Sequence, residues 1–324
     1  MSCHCTANVG PWIRLAKALN LTVKYWLPTP ISPENPFSLH LDPAELAPLI
    51  GGHTRLVAFT AKSNLLGHAT KVKKAVDLVK EKTGGRGITV VDCVAYSPHD
   101  RMDMNKWGCD AVLFSHYKVS ISVYHSFPIP EVDAYCYSTW QLFGPHLSSL
   151  VISPSSPLSS PSIGSLGHYF HPTSPAYKLA PGGAPYELQI GCSAVLPYLT
   201  SLGSVGPDDP ETLSEPELVS RAYQRIKAHE KKLSAILLDY LTSEKAKAQG
   251  VVVVGPESPE GRAPTISFMV VKKNEAGKYV KAMQSQDIAK VFDEEKKVSS
   301  SCSVMNIAST AISDNARPIL HRSE

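Results

Sequence analysis

The sequence predicts an α/β fold, with a mostly parallel sheet in a larger N-terminal domain and a smaller α+β domain after it. Three observations predict it. Short apolar runs alternate with helical periods between residues 56 and 114. Those runs are short and apolar, the second of them β-branched, as strands buried on both faces are. Beyond residue 186 the order changes to long helical periods followed by two strands. With 324 residues, 43% hydrophobic and 19% charged, the chain is long enough for a sizeable core and has ordinary globular composition.

The elements follow in order. Residues 9–19 place Trp12, Leu15, Ala16 and Leu19 at helical spacing. Leu21 to Trp26 alternates like a strand, and the proline-rich residues 27–38 read as a loop. Asp42 caps a short helix through Ile50, with Pro43 in its first position. Leu56–Thr60 is a strand. Thr70 to Lys82 is a helix with Val72, Ala75, Val76 and Val79 on one face, broken by Gly84, Gly85 and Gly87. Ile88–Val91 is a strand ending at Asp92, Met102 to Trp107 a short helix, and Ala111–Phe114 a third strand. The pattern then fails. Residues 119–141 carry aromatics and two prolines with no coherent period, and the Ser/Pro-rich residues 148–163 read as a surface loop. A helix is expected from Leu188 to Leu202, a polar linker over 204–214, and a long helix from Pro216 to Tyr240 or beyond. Val251–Val254 and Thr265–Val271 are strands, and the stretch from Val298 is Ser-rich and aperiodic.

Several classes are disfavoured at once. Thirty-two basic residues face 29 acidic ones, a net charge of +3, so no nucleic-acid or membrane footprint is expected. No apolar run approaches the ~18 residues of a membrane helix. The start lacks the charged and apolar regions of a secretory signal. The seven cysteines lack paired metal-arm spacing, so a cytoplasmic protein with reduced thiols and no metal site is expected. No Gly-x-Gly-x-x-Gly and no Gly-Lys-Ser/Thr loop is present, which leaves a plain nucleotide-binding protein a weak rival.

Chemistry gathers where the strands end. Ser63 and Asn64 follow the first strand, Asp92 and His99 the second, and Ser115, His116, Tyr117 and Lys118 the third. In an open parallel sheet, ligands bind outside the carboxyl ends of the strands. Any one of these residues is explained by strand ends being exposed; the set is harder to explain so. A lysine beside a carboxylate in such a crevice suits pyridoxal phosphate. Its aldehyde needs an amine, its ring nitrogen needs an ionised carboxylate to stay protonated, and its phosphate needs hydroxyls and N–H groups.

The motifs then become specific. Ser63-Asn64-Leu65-Leu66-Gly67, Val91-Asp92 with His99, and Ser115-His116-Tyr117-Lys118 stand here. They resemble the Ser-Asn-x-Leu-Gly, Val-Asp…His and Ser-x-x-Lys-x-x-Gly-Pro motifs of the class V aminotransferase and cysteine-desulfurase-like family of fold-type I pyridoxal-phosphate enzymes. The expected Gly-Pro arrives late, at Gly144-Pro145. Joining Lys118 to Leu142 restores Phe114-Ser115-His116-Tyr117-Lys118-Leu142-Phe143-Gly144-Pro145-His146. The intervening residues 119–141 begin with Val, whose codons all start GT, and end with Gln, which CAG encodes. They read as an intron translated in frame; a genuine insertion is the alternative.

The resemblance covers roughly residues 7–118 and 142–297. It implies a pyridoxal-phosphate transferase large domain over 1–203, incomplete and interrupted at 119–141, a partial small domain over 204–297, and an irregular tail at 298–324. It implies that Lys118 forms the Schiff base and shuttles a proton, that Asp92 pairs with the ring nitrogen, that Asn64 bonds the ring oxygen, and that Ser115 holds phosphate. His99 lies nearby, in a catalytic or supporting role. A small amino-acid substrate and a homodimer follow from the same resemblance. The chain departs from the family in places. Cys5 and His4 stand around the stacking-histidine position, Ala95 replaces a desulfurase Gln, Gly183 a Thr, and the family's Gly-rich N-terminal loop and C-terminal Arg stretch have no counterpart. Tyr169 to Leu188 resembles the segment that reaches the partner subunit's phosphate, and 262–268 the small-domain strand. A desulfurase also needs a mobile nucleophilic cysteine, whereas Cys93 beside Asp92 is expected to be packed. The expectation is therefore a class V aminotransferase-like enzyme, with an inactive, mis-spliced product and a cysteine desulfurase as alternatives.

Overall fold

A computed structural model describes residues 6–117, 144–160, 183, 185–206 and 212–283. Lys118, the stretch 119–141, His4, Cys5, most of 169–188 and the tail from 298 lie outside the described residues. The chain divides into two units, Met1–Ile121 with Thr139–Phe268, and Ser122–Ser138 with Met269–Glu324.

The first unit opens with α1 (Thr6–Ala18) and a small antiparallel pair, β1 (Thr29–Pro30) and β2 (Leu39–His40). Leu21 to Trp26, expected as a strand, pairs among the described residues with nothing beyond a bridge at Trp26. Its Leu21 and Tyr25 are exposed while Trp26 is fully buried, donating its indole N–H to Asp42 O at 2.9 Å. Alternation alone was enough to mimic a strand. Asp42 caps α2 (Pro43–Leu46) by accepting from Ala44 N, and a 3-10 turn continues it over Ala47–Leu49.

The sheet is built from β3 (Leu56–Thr60), β4 (Ile88–Asp92), β5 (Ala111–Ser115) and β6 (Ser148–Ile152), in that order. The first three are parallel and register Thr60 with Asp92 and Asp92 with Leu113. Helix α3 (Val72–Thr83) crosses between β3 and β4. It buries Val72, Ala75, Val76, Val79 and Thr83, the stripe that its apolar spacing predicts. That stripe packs with Phe59, Val91 and Trp107 of α4 (Met104–Trp107) in the main core cluster. Strand β6 runs antiparallel to β5, pairing Ser115 with Ser148 and Ala111 with Ile152. The sequence read this segment as a loop. As a Ser-rich edge strand with three of its five residues exposed, it carries no buried apolar run to betray it.

The helical part follows. The single helix expected over 188–202 is two, α5 (Tyr186–Cys192) and α6 (Val195–Ser204). Helix α6 packs on α7 (Glu215–Leu241) through Val195, Leu199, Ala222 and Tyr223. The approach is close at Gly203, where a Cβ would come 2.0 Å from Leu218 O. Helix α7 starts on a capping pair in which Ser214 Oγ and Ser214 N donate to Glu217 Oε2 at 2.6 and 2.8 Å, and these bonds, the hydroxyl's first, lower the Glu217 pKa. Helix α8 (Glu244–Ala248) and β7 (Val251–Val254) follow, with Leu238, Leu241 and Val253 buried together. Strand β8 (Ser267–Lys273) runs into the second unit, where Val271 to Lys273 pair antiparallel with β9 (Tyr279–Lys281).

Candidate functional site

The carboxyl ends of β3, β4 and β5 lie side by side, because parallel strands in register finish together. At the end of β3, Thr60 Oγ1 donates to Lys62 O at 2.7 Å and Ala61 N to Asp92 O at 2.8 Å. The next residues form a tight turn. Ser63 Oγ accepts from Leu65 N and Leu66 N at 3.3 and 3.1 Å, and Gly67 N donates to Ser63 O at 3.0 Å. Gly67 has φ +67°, and a Cβ there would stand 2.5 Å from Thr265 O. No other residue satisfies both constraints, which explains the glycine in this motif. The turn is clamped from outside: Ala263 N donates to Gly67 O at 2.7 Å and Ser267 Oγ to Leu65 O at 2.7 Å. Arg262 organises that clamp, donating to the carbonyls of Pro256, Ala263 and Thr265, and its burial lowers its pKa to about 10. The turn leaves Asn64 half-buried, its amide without a hydrogen bond among the described residues.

Asp92 ends β4 and is buried, its Oδ1 accepting from Val94 N at 2.9 Å. Cys93, next to it, is fully buried in the main core cluster, as its packing alongside Cys109 requires. Burial first, then the Asp92 charge, raise its thiol pKa well above the usual value. Cys109 is raised likewise, to about 11, chiefly by burial. Neither is a ready thiolate nucleophile. The chain then turns sharply, with Ser97 N donating to Cys93 O at 2.8 Å, and delivers His99, 2% exposed, with Nδ1 2.7 Å from Glu230 Oε1 of α7.

Ser115 at the end of β5 is buried, with Oγ 3.1 Å from Ser148 Oγ across the sheet. His116 Nε2 lies 2.8 Å from Ser149 Oγ, and burial lowers the His116 pKa. Tyr117 stacks on His146 at 4.6 Å between centroids. The chain leaves this strand end after Tyr117, and when it is next described Gly144 N donates to His116 O at 2.9 Å. The two ends of the interrupted motif therefore meet.

One residue escaped the reading of the sequence. Lys62 is 3% exposed, and its Nζ lies 5.1 Å from the centre of the Tyr96 ring. Burial pulls its pKa down to about 8, against the opposing charges of Asp100 and Glu230. Tyr96 is pushed up by burial and by Asp100. Lys62 sits beside Ser63 and Asn64, yet a lone lysine between two motif residues gives no sign of burial in the sequence.

The structure thus brings Asn64, Asp92, His99 and Ser115 to one end of one sheet. These residues fit the demands of pyridoxal phosphate in kind: a buried carboxylate for a protonated ring nitrogen, an uncommitted amide and a strand-end hydroxyl. Among the described residues no group of acidic, His and Cys side chains is arranged to hold a metal ion, and no helix is long and apolar enough to cross a membrane.

Comparison with known proteins agrees. Residues 2–121 match the family model described as aminotransferase class V. The chain is 32% identical over 267 residues to an aminotransferase-like protein of Gibberella zeae, covering 82% of this chain and 53% of that protein. It is 31% identical over 275 residues to a cysteine desulfurase-like protein of Aspergillus flavus, covering 84% and 51%. The chain spans about half the length of these curated relatives. Among solved structures, the cysteine desulfurase of Thermococcus onnurineus in its apo form superposes with a TM-score of 0.55 at 18% identity, over 89% of this chain and 58% of that one. The Escherichia coli cysteine desulfurase gives 0.53 at 17%, over 90% and 58%. These two likenesses are of fold, an α/β architecture of the pyridoxal-phosphate transferase type. The family match over residues 2–121, the two relatives and the fold agree in likening the chain to the class V aminotransferase and cysteine-desulfurase-like family.

Proposed function

We propose that this chain belongs to a pyridoxal-phosphate-dependent enzyme of the class V aminotransferase type, acting on a small amino acid, with Lys118 as the residue that links the cofactor. The observation that carries the reading is Asp92, a buried carboxylate at the end of the central parallel strand β4, between the turn of Asn64 and the strand end of Ser115. When bound, the cofactor supplies a ring that draws off the electron pair released at the substrate's α-carbon. Asp92 would hold the proton on the ring nitrogen, which keeps that ring electron-poor. Asn64 would donate its amide N–H to the ring oxygen, and Ser115 its hydroxyl to the phosphate. Lys118, one residue past Tyr117, would link the cofactor, and its amine would serve to move a proton at the substrate's α-carbon. The proposed domain division is a large domain over 1–203 and a small one over 204–297, in a homodimer. Borohydride reduction of the chain with pyridoxal phosphate, followed by peptide mapping, tests this. Label on the peptide of Lys118 is expected; label confined to another lysine overturns it.

A second reading is supported by the bond between His116 and Gly144. The described residues on either side of the interruption meet, as they would if residues 119–141 were an intron translated in frame. On this reading the present chain is an inactive product and the joined chain the enzyme. Sequencing the transcript across the codons of Lys118 and Leu142 decides it. The burial of Cys93 and Cys109 gives a desulfurase reading no comparable support.

A further inference from the structure

The turn that follows Asp92 is fastened to one stripe of α7. Tyr223 Oη donates to Ser97 O at 2.9 Å, Lys227 Nζ to Asp100 Oδ2 at 3.0 Å, and Arg101 donates to Ser220 Oγ. The fourth contact is His99 Nδ1 to Glu230 Oε1 at 2.7 Å. Positions 220, 223, 227 and 230 are spaced by three and four residues, so they share a face. The contacts are unequal. Tyr223 holds a backbone carbonyl. Lys227 is 62% exposed, and a surface pair of this kind contributes little. Glu230 reaches an imidazole, and that ring is 2% exposed.

From this geometry we infer that Glu230 is a positioning residue, one that sets the tautomer and orientation of His99. A carboxylate accepts only, so Nδ1 must carry the proton that it donates to Glu230. The lone pair then stays on Nε2, which becomes the ring's acceptor nitrogen. The Lys62 amine, over the Tyr96 ring, lies within electrostatic reach of Asp100 and Glu230. Helix α7 comes from a part of the chain 131 residues away, so the His99 ring is fixed by an element outside the sheet that presents it. The inference rests on the proposed function only in taking His99 as part of the working site.

The test uses the full chain with its imidazole nitrogens labelled with nitrogen-15, first without cofactor. The expected spectrum has His99 protonated at Nδ1. Glu230→Leu should lose that tautomer, and Glu230→Gln, whose amide oxygen still accepts, should retain it. An unchanged tautomer in Glu230→Leu overturns the inference, as does loss of the tautomer in Glu230→Gln when the circular dichroism of the fold is unchanged. With pyridoxal phosphate and an amino acid, Glu230→Leu should lower kcat about tenfold, the order of a hydrogen bond to a charged group, with KM nearly unchanged. Glu230→Gln should recover part of that loss. A fall in KM-linked binding with kcat intact would instead mark a merely structural contact and overturn the inference. If the wild-type chain shows the tautomer but binds no cofactor, the proposed function fails and the His99–Glu230 assignment stands.

Discussion

The turns after β4 and after β5 serve the same crevice but are held very differently. The turn after Asp92 is closed by its own backbone bonds and then pinned to α7 at four places. The end of β5 has Ser115 on Ser148 and His116 on Ser149, and among the described residues its onward path is closed by Gly144 N donating to His116 O, His116 N donating to Leu147 O and the stack of Tyr117 on His146. One side of the site is over-determined. The other hangs on a junction that 26 residues interrupt between Tyr117 and Gly144. Loop closure costs only slowly more as a loop lengthens, so the fold survives such an interruption. A catalytic group beside it does not, because about 1 Å of displacement can cost roughly a hundredfold in rate.

The largest expected effect therefore comes from joining Lys118 directly to Leu142. Deleting residues 119–141 should raise turnover with pyridoxal phosphate by about a hundredfold or more, measured against the present chain under one set of conditions. Equal rates would show that the interruption leaves the β5 side as well ordered as the β4 side. Next is Asp92→Asn, made in the joined chain. The amide cannot hold the ring proton, so turnover should fall by tens of fold while cofactor loading, followed by absorbance, falls less; a charged hydrogen bond is worth about 1.5–3 kcal/mol. Parallel losses would deny Asp92 its special role.

Stability measurements sharpen the contrast further. Gly67→Ala forces a side chain into positive φ and against Thr265 O, so it should destabilise the first unit by about 1–3 kcal/mol in urea unfolding. A shift within error would mean that the clamp yields. The smallest effect, taken per pH unit, concerns Lys62. Its pKa is about 8 folded against 10.5 for a free lysine. Between those values the unfolded chain binds more protons, so stability rises with pH through that window, by at most about 1.4 kcal/mol per unit. Below about 8 the full cost of burying the charge is present. Lys62→Met should flatten that rise, and an identical slope in the variant would place the titration elsewhere.

How far the sequence could be read depended on the kind of signal. Strands β3 to β5 and helix α3 were legible because Val57 to Phe59, Val90 to Val91 and the Val72–Val79 stripe obey burial on two faces or one. Strand β6 was not, because an edge strand with Ser148 and Ser149 needs no apolar period. Asn64, Asp92, His99 and Ser115 were found because strand ends and family motifs both point to them. Lys62, Glu230 and the Arg262 clamp were invisible, since each acquires its meaning from a partner distant in the chain, and spacing cannot reveal such a partner.

That last dependence has a consequence for the order in which the molecule takes shape. Ser267 donates to Leu65 across 202 residues, and the Arg262 carbonyl clamp closes over the same turn. On a ribosome adding about 5–20 residues per second, the Asn64 turn emerges roughly 10–40 s before its clamp exists. Throughout that interval β3, β4 and α3 can assemble while the turn stays open to solvent and to any chaperone that binds exposed loops. The crevice is thus finished late, from the C-terminal side, and a nascent chain stopped short of residue 261 should carry the sheet without a set Asn64 turn.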